Sequence, residues 1–235
     1  MSPLKILLFI FAGIYGTQLH AHTSFPVKIH CPLDSTEFEI QVTGSYTTTG
    51  SKKDFQKLGY IGDLYESSIN SCPKCHFSGY EKDFDTTYVD TTRAALLQLL
   101  APYADEKEID DVKENEIAAQ IHLYFHDKND RIANIYLVAS YFLRDSKKRI
   151  EERKELQRKT ITYLLKAIDA KEYKANETAT ICYLIGELYR RTGDFENALV
   201  YYDRAINDPD KASWVEKLAQ EQRQLAVEKN EDNSI

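Results

Sequence analysis

Residues 179–212 read ATICYLIGELYRRTGDFENALVYYDRAINDPDKA, and this stretch decides the fold. Cys182, Ile185, Gly186 and Tyr189 recur at the spacing of one helix face. Ala198, Tyr202 and Ala205 do the same further on. Gly193 between them supplies the left-handed backbone that ends a helix, and Asp194 offers a side-chain cap to the next. Pro209 closes the unit. Gly186 and Ala198 are small where two helices must cross closely.

This unit resembles one tetratricopeptide repeat, a 34-residue helix–turn–helix. The resemblance assigns the packing positions to Ile185, Gly186, Tyr189, Ala198, Tyr202 and Ala205. A stretched earlier copy pairs Ala139 and Phe142 with Thr160, Leu164 and Ala167. Residues 212–229, with Trp214, Leu218 and Leu225, are expected to form a closing helix over the last repeat. Further helices are expected from Thr91 or Thr92 to about Leu100, and over Glu114–His126, Ile132–Leu143 and Glu155–Ala170. The charged run Lys147–Lys159 reads as the solvated extension of two long antiparallel helices. Cys182 reads as a small buried apolar residue.

Glycine and proline concentrate before residue 88. There Phe38-Glu39-Ile40-Gln41-Val42 alternates as a strand does. The polar stretch Thr43–Gln56 is expected to be a mobile loop. The fold class is therefore α+β, mainly α. A small β-rich, ribbon-like domain (22–88) precedes tetratricopeptide-like antiparallel helix pairs (89–235).

Residues 1–21 carry the pattern of a secretory signal peptide. Lys5 precedes the apolar run 6–15, and Ala21 is the expected last residue before cleavage. That run is too short to span a bilayer, which takes roughly 20 residues. The expected location is exported, periplasmic or secreted, with no stable membrane span after cleavage. Of the 235 residues, 43% are hydrophobic, which is enough for a folded core. Acidic residues outnumber basic ones 37 to 30, for a net charge of −7, which argues against a nucleic-acid partner.

Three cysteines stand in the first half, in Cys31-Pro-Leu-Asp34 and Cys72-Pro-Lys-Cys75. A Cys-Pro-x-Cys turn aims backbone amides at its sulfurs and favours thiolates. Two such turns make a zinc ribbon, and here Asp34 stands at the fourth position. Cys31, Asp34, Cys72 and Cys75 are thus the candidate ligands of a structural zinc, with His30 and His76 as alternative fourth ligands. A disulfide joining Cys31 to Cys72 would cross-link the same two turns and suits an oxidising compartment. Cys72-Pro-Lys-Cys75-His76 also fits the C-x-x-C-H haem attachment pattern. The only methionine is Met1, so His122 or His126 would have to be the distal ligand, and no cytochrome-like helical frame surrounds the motif.

Taken together, the pieces CPLDSTEFE (31–39), CPKCHF (72–77) and YLIGELYRRTGDF (183–195) resemble a bacterial family catalogued as domain of unknown function 2225. The resemblance covers most of residues 28–210. It implies a ribbon-like segment, stapled by metal or disulfide, joined to a helical interaction platform. Asp34 and His76 depart from the family's pattern of a second full knuckle and a glycine. Catalytic motifs such as Gly-x-Ser-x-Gly, Gly-x-Gly-x-x-Gly, the P-loop and His-Glu-x-x-His are absent from the sequence. The expectation is a non-enzymatic module that binds a peptide or an envelope protein through its helical surface. The alternative is an exported redox or haem protein acting through Cys72, Cys75 and His76.

Overall fold

The computed structural model describes residues 23–59 and 64–234. The expected signal segment, 1–21, lies outside them. Strands β1 (Thr23–His30) and β2 (Glu37–Ser45) form an antiparallel hairpin, with Val27 opposite Ile40 and Ile29 opposite Phe38. Two short hairpins follow: β3 (Thr48–Ser51) with β4 (Lys57–Gly59), and β5 (Asn70–Ser71) with β6 (Ser78–Gly79). Seven α-helices complete the described residues: α1 (Asp90–Leu100), α2 (Asp111–Tyr124), α3 (Asn129–Phe142), α4 (Ile150–Asp169), α5 (Ala175–Thr192), α6 (Phe195–Asn207) and α7 (Ser213–Val227). The fold is mainly α with small antiparallel strand pairs. None of the described helices is long and apolar enough to cross a membrane.

The helices pack in chain order, each on the next, from α2 to α7. Their cores overlap like links. Ile132, Ile135, Ala139 and Leu156 join α2, α3 and α4. Ala133, Leu137, Leu164, Ile185 and Leu188 join α3, α4 and α5. Ala179, Tyr183, Ala198, Tyr202, Val215 and Ala219 join α5, α6 and α7. The first cluster crosses residue 88. It combines Ile29, Cys31, Ile40, Cys72, Phe77 and Phe84 with Leu96 and Leu100 of α1 and Ile117 and Ile121 of α2. The strand-rich segment and the first helices therefore share one core.

Between α5 and α6 the local chemistry is legible residue by residue. Gly193 takes φ +90° and its amide bonds the Arg190 carbonyl at 3.1 Å. The Asp194 carboxylate accepts from the Asn197 amide at 3.2 Å and caps α6. With only two residues between them, the helices must fold back on each other. A Cβ on Gly186 would sit 3.0 Å from the Tyr202 ring and 3.2 Å from the Ala198 carbonyl oxygen, so α5 and α6 touch there backbone to side chain. Ile185, Ala198, Tyr202 and Ala205 are fully buried. Tyr189 is only half-buried, its ring 5.7 Å from that of Tyr201.

Several expectations need correction. Thr43–Gln56 is not a mobile loop: β2 runs through Ser45, β3 follows, and Asp54 is wholly buried. Its polar residues are held by partners far along the chain, which periodicity does not reveal. The charged run Lys147–Lys159 is not a solvated extension of two long helices. Phe142 ends α3, α4 starts at Ile150, and Arg153 and Gln157 are buried. The Arg153 Nη1 donates to the Arg144 carbonyl at 2.7 Å, capping the previous helix instead of facing water. The closing helix also turns a different face inward. Val215, Ala219, Gln222 and Ala226 are buried, whereas Trp214 is half exposed. Small residues let α7 lie close to α6, and Trp214 covers Phe55 from outside, ring centroids 6.1 Å apart. No threonine side chain caps α1, which begins at Asp90 behind Val89.

Tyr202→Ala is expected to cost about 3–5 kcal/mol of stability, since it empties a filled site and removes the hydroxyl bonded to Glu187. Gly186→Val should cost about 1–3 kcal/mol by forcing α5 off α6. Tyr189→Ala should cost clearly less than Tyr202→Ala. Urea denaturation of the three variants checks this order.

Candidate metal centre

Two turns of identical construction face each other. In the first, the Cys31 amide donates to the Thr36 carbonyl at 2.9 Å and the Ser35 amide donates to the Cys31 carbonyl at 2.9 Å. In the second, the Cys72 amide donates to the Phe77 carbonyl at 2.9 Å and the His76 amide donates to the Cys72 carbonyl at 3.0 Å. Ser35 and His76 occupy the same position in each and both take left-handed backbone, φ 60° and 58°. Prolines 32 and 73 fix the backbone at the residue after each leading cysteine. The first turn ends β1 and starts β2; the second joins β5 to β6.

The duplicated geometry brings Cys31, Asp34, Cys72 and Cys75 together, with one ligand atom from each lying within 4.8 Å of all the others. The Cys31 and Cys75 sulfurs are 3.4 Å apart, and the Cys72 sulfur is 3.7 Å from Asp34 Oδ1. Cys31 and Cys72 are buried; Asp34 and Cys75 are half-buried. All four cysteines carry free thiols. This set could hold a metal ion.

Backbone amides point at the sulfurs as the turns require. Leu33 donates to Cys31 at 3.4 Å, Cys75 and Lys74 donate to Cys72, and Phe77 donates to Cys75. The three thiols compete for a single negative charge. Hydrogen bonds from Cys31 and then Cys75, with the amides behind them, hold Cys72 down to about 2. The Cys31 thiol, engaged with Cys72, is pushed up to about 12, and Cys75 is raised by both neighbours. One thiolate is therefore at home among these groups alone, and full deprotonation of the set calls for a cation.

The histidines go elsewhere. His30 lies at the exposed end of β1 with Nε2 3.3 Å from Glu37. The buried His76 ring places Nε2 2.9 Å from the Glu106 carbonyl oxygen. His122 is buried with Nδ1 2.9 Å from Asp127 and Nε2 3.5 Å from Asp83, while His126 is exposed beyond the end of α2. Asp34 is the fourth member of the cluster.

A second polar centre lies further along the helical run, between α5, α6 and the end of α3, and sequence reasoning missed it. Glu187 on α5 is fully buried. It accepts from Arg190 Nε at 2.9 Å, Arg191 Nε at 2.7 Å and the Tyr202 hydroxyl at 2.6 Å. Asp54 is 3.2 Å from Arg191 and 2.5 Å from Arg144. Burial pushes the Glu187 carboxyl up, but Arg191, Arg190 and Tyr202 outweigh it and hold it below the ordinary carboxylate range. The available signal was Glu187 three and four residues before Arg190 and Arg191, a spacing that usually marks a solvated helix face.

The knuckles, the strand pairs and the helical run match one protein family over residues 25–226, described as an uncharacterized protein conserved in bacteria, domain of unknown function 2225. The chain belongs to this family. The match takes in all four members of the cysteine–aspartate cluster. No curated protein and no solved structure matches the chain.

Beneath the second turn, Glu114 of α2 is largely buried and bonded to Ser71. Burial first, and then the charges of Asp111 and Asp110, push its carboxyl up to about 7. The folded state thus keeps this proton longer than the unfolded chain, whose carboxyl titrates near 4.5. Its contribution to stability is greatest below that value and is lost as pH rises through about 7. Glu114→Gln should remove this fall. Urea melts of wild type and variant at pH 5 and pH 8 compare the two slopes.

Proposed function

We propose that the protein is an exported, non-enzymatic interaction module: a structural zinc ion locks its first segment, and its helix pairs bind a peptide or another envelope protein. The zinc reading rests on the duplicated turn that converges Cys31, Asp34, Cys72 and Cys75. Tetrahedral zinc with bonds of about 2.3 Å to sulfur has edges of about 3.8 Å. Separations of 3.4 and 3.7 Å within the cluster suit that size. Three thiolates and a carboxylate complete the four ligands of a structural site, whereas a catalytic zinc keeps one position open. Bound there, zinc would fix the β1–β2 and β5–β6 hairpins against α1 and α2 and so close the first end of the helical stack.

The interaction reading is supported by the tetratricopeptide-like unit 179–212, because stacked helical hairpins present a continuous side surface. Acidic net charge fits a protein or peptide partner better than a nucleic acid. Export is supported by the apolar run behind Lys5 and makes a periplasmic or secreted location part of the proposal.

Intact mass of the exported protein, native and denatured, tests this reading. The expected result is one zinc lost on denaturation, reduced thiols, and a start after Ala21. A mass lower by two hydrogens with no metal would replace zinc with a disulfide, and a haem-sized addition surviving denaturation would move the function to redox chemistry. Cys31→Ser and Cys72→Ser should each release zinc and lower the melting temperature, as should a chelator, because the metal's binding energy is folding energy. Cys182→Ala should retain the zinc.

A further inference from the structure

The two cysteine turns match position for position, and the match singles out one ligand. Cys31 corresponds to Cys72 and Thr36 to Phe77, because each leading amide donates to the later residue's carbonyl at 2.9 Å. Asp34 therefore stands where Cys75 stands. The chain treats the two side chains alike. The Thr36 amide donates to Asp34 Oδ1 at 3.0 Å, and the Phe77 amide donates to Cys75. Asp34 thus puts a carboxylate in a thiolate's place without altering the turn around it.

Three features set Asp34 apart from the cysteines. Thiolate is the ligand class that selects zinc, whereas carboxylate suits harder cations and is the weaker partner here. Solvent reaches Asp34, which is half-buried, while Cys31 and Cys72 are buried. Cys75 is half-buried too, but it packs against the apolar core and its sulfur lies 3.4 Å from that of Cys31. Finally, Asp34 keeps a partner when it lets go of a cation. Its Oδ1 already accepts from Thr36, and its exposed side can be hydrated. A buried Cys31 or Cys72 thiolate that let go would be left without water, at a far greater cost.

The turns also have a seat that does not depend on the four ligands. Leu33 of the first turn and Phe77 of the second share one apolar core with Leu96 of α1 and Ile117 of α2. Opening the ligand set leaves that core intact.

We propose that Asp34 is the ligand through which zinc enters and leaves this site, so that occupancy, and with it the rigidity of the first segment, follows the zinc supply around the protein. The inference rests on the zinc reading above and adds its regulation. Asp34 gives up its bond to the metal, and a donor atom of an incoming chelator takes the vacated position before the sulfurs let go.

The test uses the exported protein as wild type, Asp34→Cys and Asp34→Ala, each loaded with zinc in reducing buffer. Transfer of the zinc to excess 4-(2-pyridylazo)resorcinol is followed by absorbance. Asp34→Cys should release zinc about tenfold more slowly than wild type, the low end of what altering a metal ligand's support does to affinity. Asp34→Ala should release it faster than wild type or fail to load. As wild type empties, its helical circular dichroism should persist while its melting temperature falls, and added zinc should restore the melting temperature. Wild type releasing zinc as slowly as Asp34→Cys overturns the proposal. So does Asp34→Ala holding zinc as long as wild type, because Asp34 would then not be a ligand. Loss of the helical signal as zinc leaves also overturns it, since the metal would then be part of the fold and not an exchangeable occupant. Failure of all three chains to load zinc would remove the zinc reading itself; one zinc in each, released at equal rates, would leave that reading standing and remove only its regulation through Asp34.

Discussion

Glu187 sets the constraint on which the second half of the molecule depends. A fully buried carboxylate is tolerable only when charge and hydrogen bonds surround it, and here two guanidinium groups and one hydroxyl do so. Those partners come from two helices: α5 itself supplies Arg190 and Arg191, and α6 supplies Tyr202. Arg191 then reaches Asp54 from the strand-rich segment, and Asp54 reaches Arg144 at the end of α3. One charge therefore ties together elements more than a hundred residues apart. Such a network adds little net stability compared with a well-packed apolar core, but removing any one member strands another buried charge. Its use is specificity: it allows a single placement of residues 52–56 against the helices.

That placement explains why the strand-rich segment does not stand alone. Residues 52–56 leave the β hairpins and lie on the helices, with the Tyr141 hydroxyl on the Asp54 carbonyl and the Tyr183 hydroxyl on the Lys53 carbonyl, both at 2.6 Å. Phe55 packs against Tyr183 and Trp214. At the far end the cysteine turns lie on α1 and α2. The first segment is thus clamped at two points along the helical run, once through a core that crosses residue 88 and once through buried charge.

How much of this was legible follows from the range of the interactions. The α5–α6 hairpin could be read because its determinants are local: Gly193, Asp194, and small residues at helical spacing. The four members of the cysteine–aspartate cluster could be read for the same reason, since each turn is specified within six residues, and only their convergence needed the fold. The inward face of α7 could not. Trp214 is the largest apolar residue there and drew the face toward itself, whereas close helix contact selected Val215 and Ala219. Asp54 read as part of a mobile loop because its partners Arg144 and Arg191 lie 90 and 137 residues further along the chain. Periodicity reports which face is apolar, and it carries no information about a charge whose counter-charge comes from elsewhere.

Both polar centres sit where a linear helical stack is weakest. Such a stack buries each helix against its neighbours, which leaves its ends and sides without a partner. At the first end, the cysteine turns and their hairpins cover α1 and α2; at the last, α7 presents small residues inward and a charged outer face. Along the side, apolar residues would create a sticky surface, and the chain instead places donors there and satisfies them with its own carbonyl groups. Among the described residues, 230–234 are held there by hydrogen bonds and charge. That property separates the 230–234 segment from α7, which is anchored by Val215, Ala219 and Ala226 and cannot leave without opening the core.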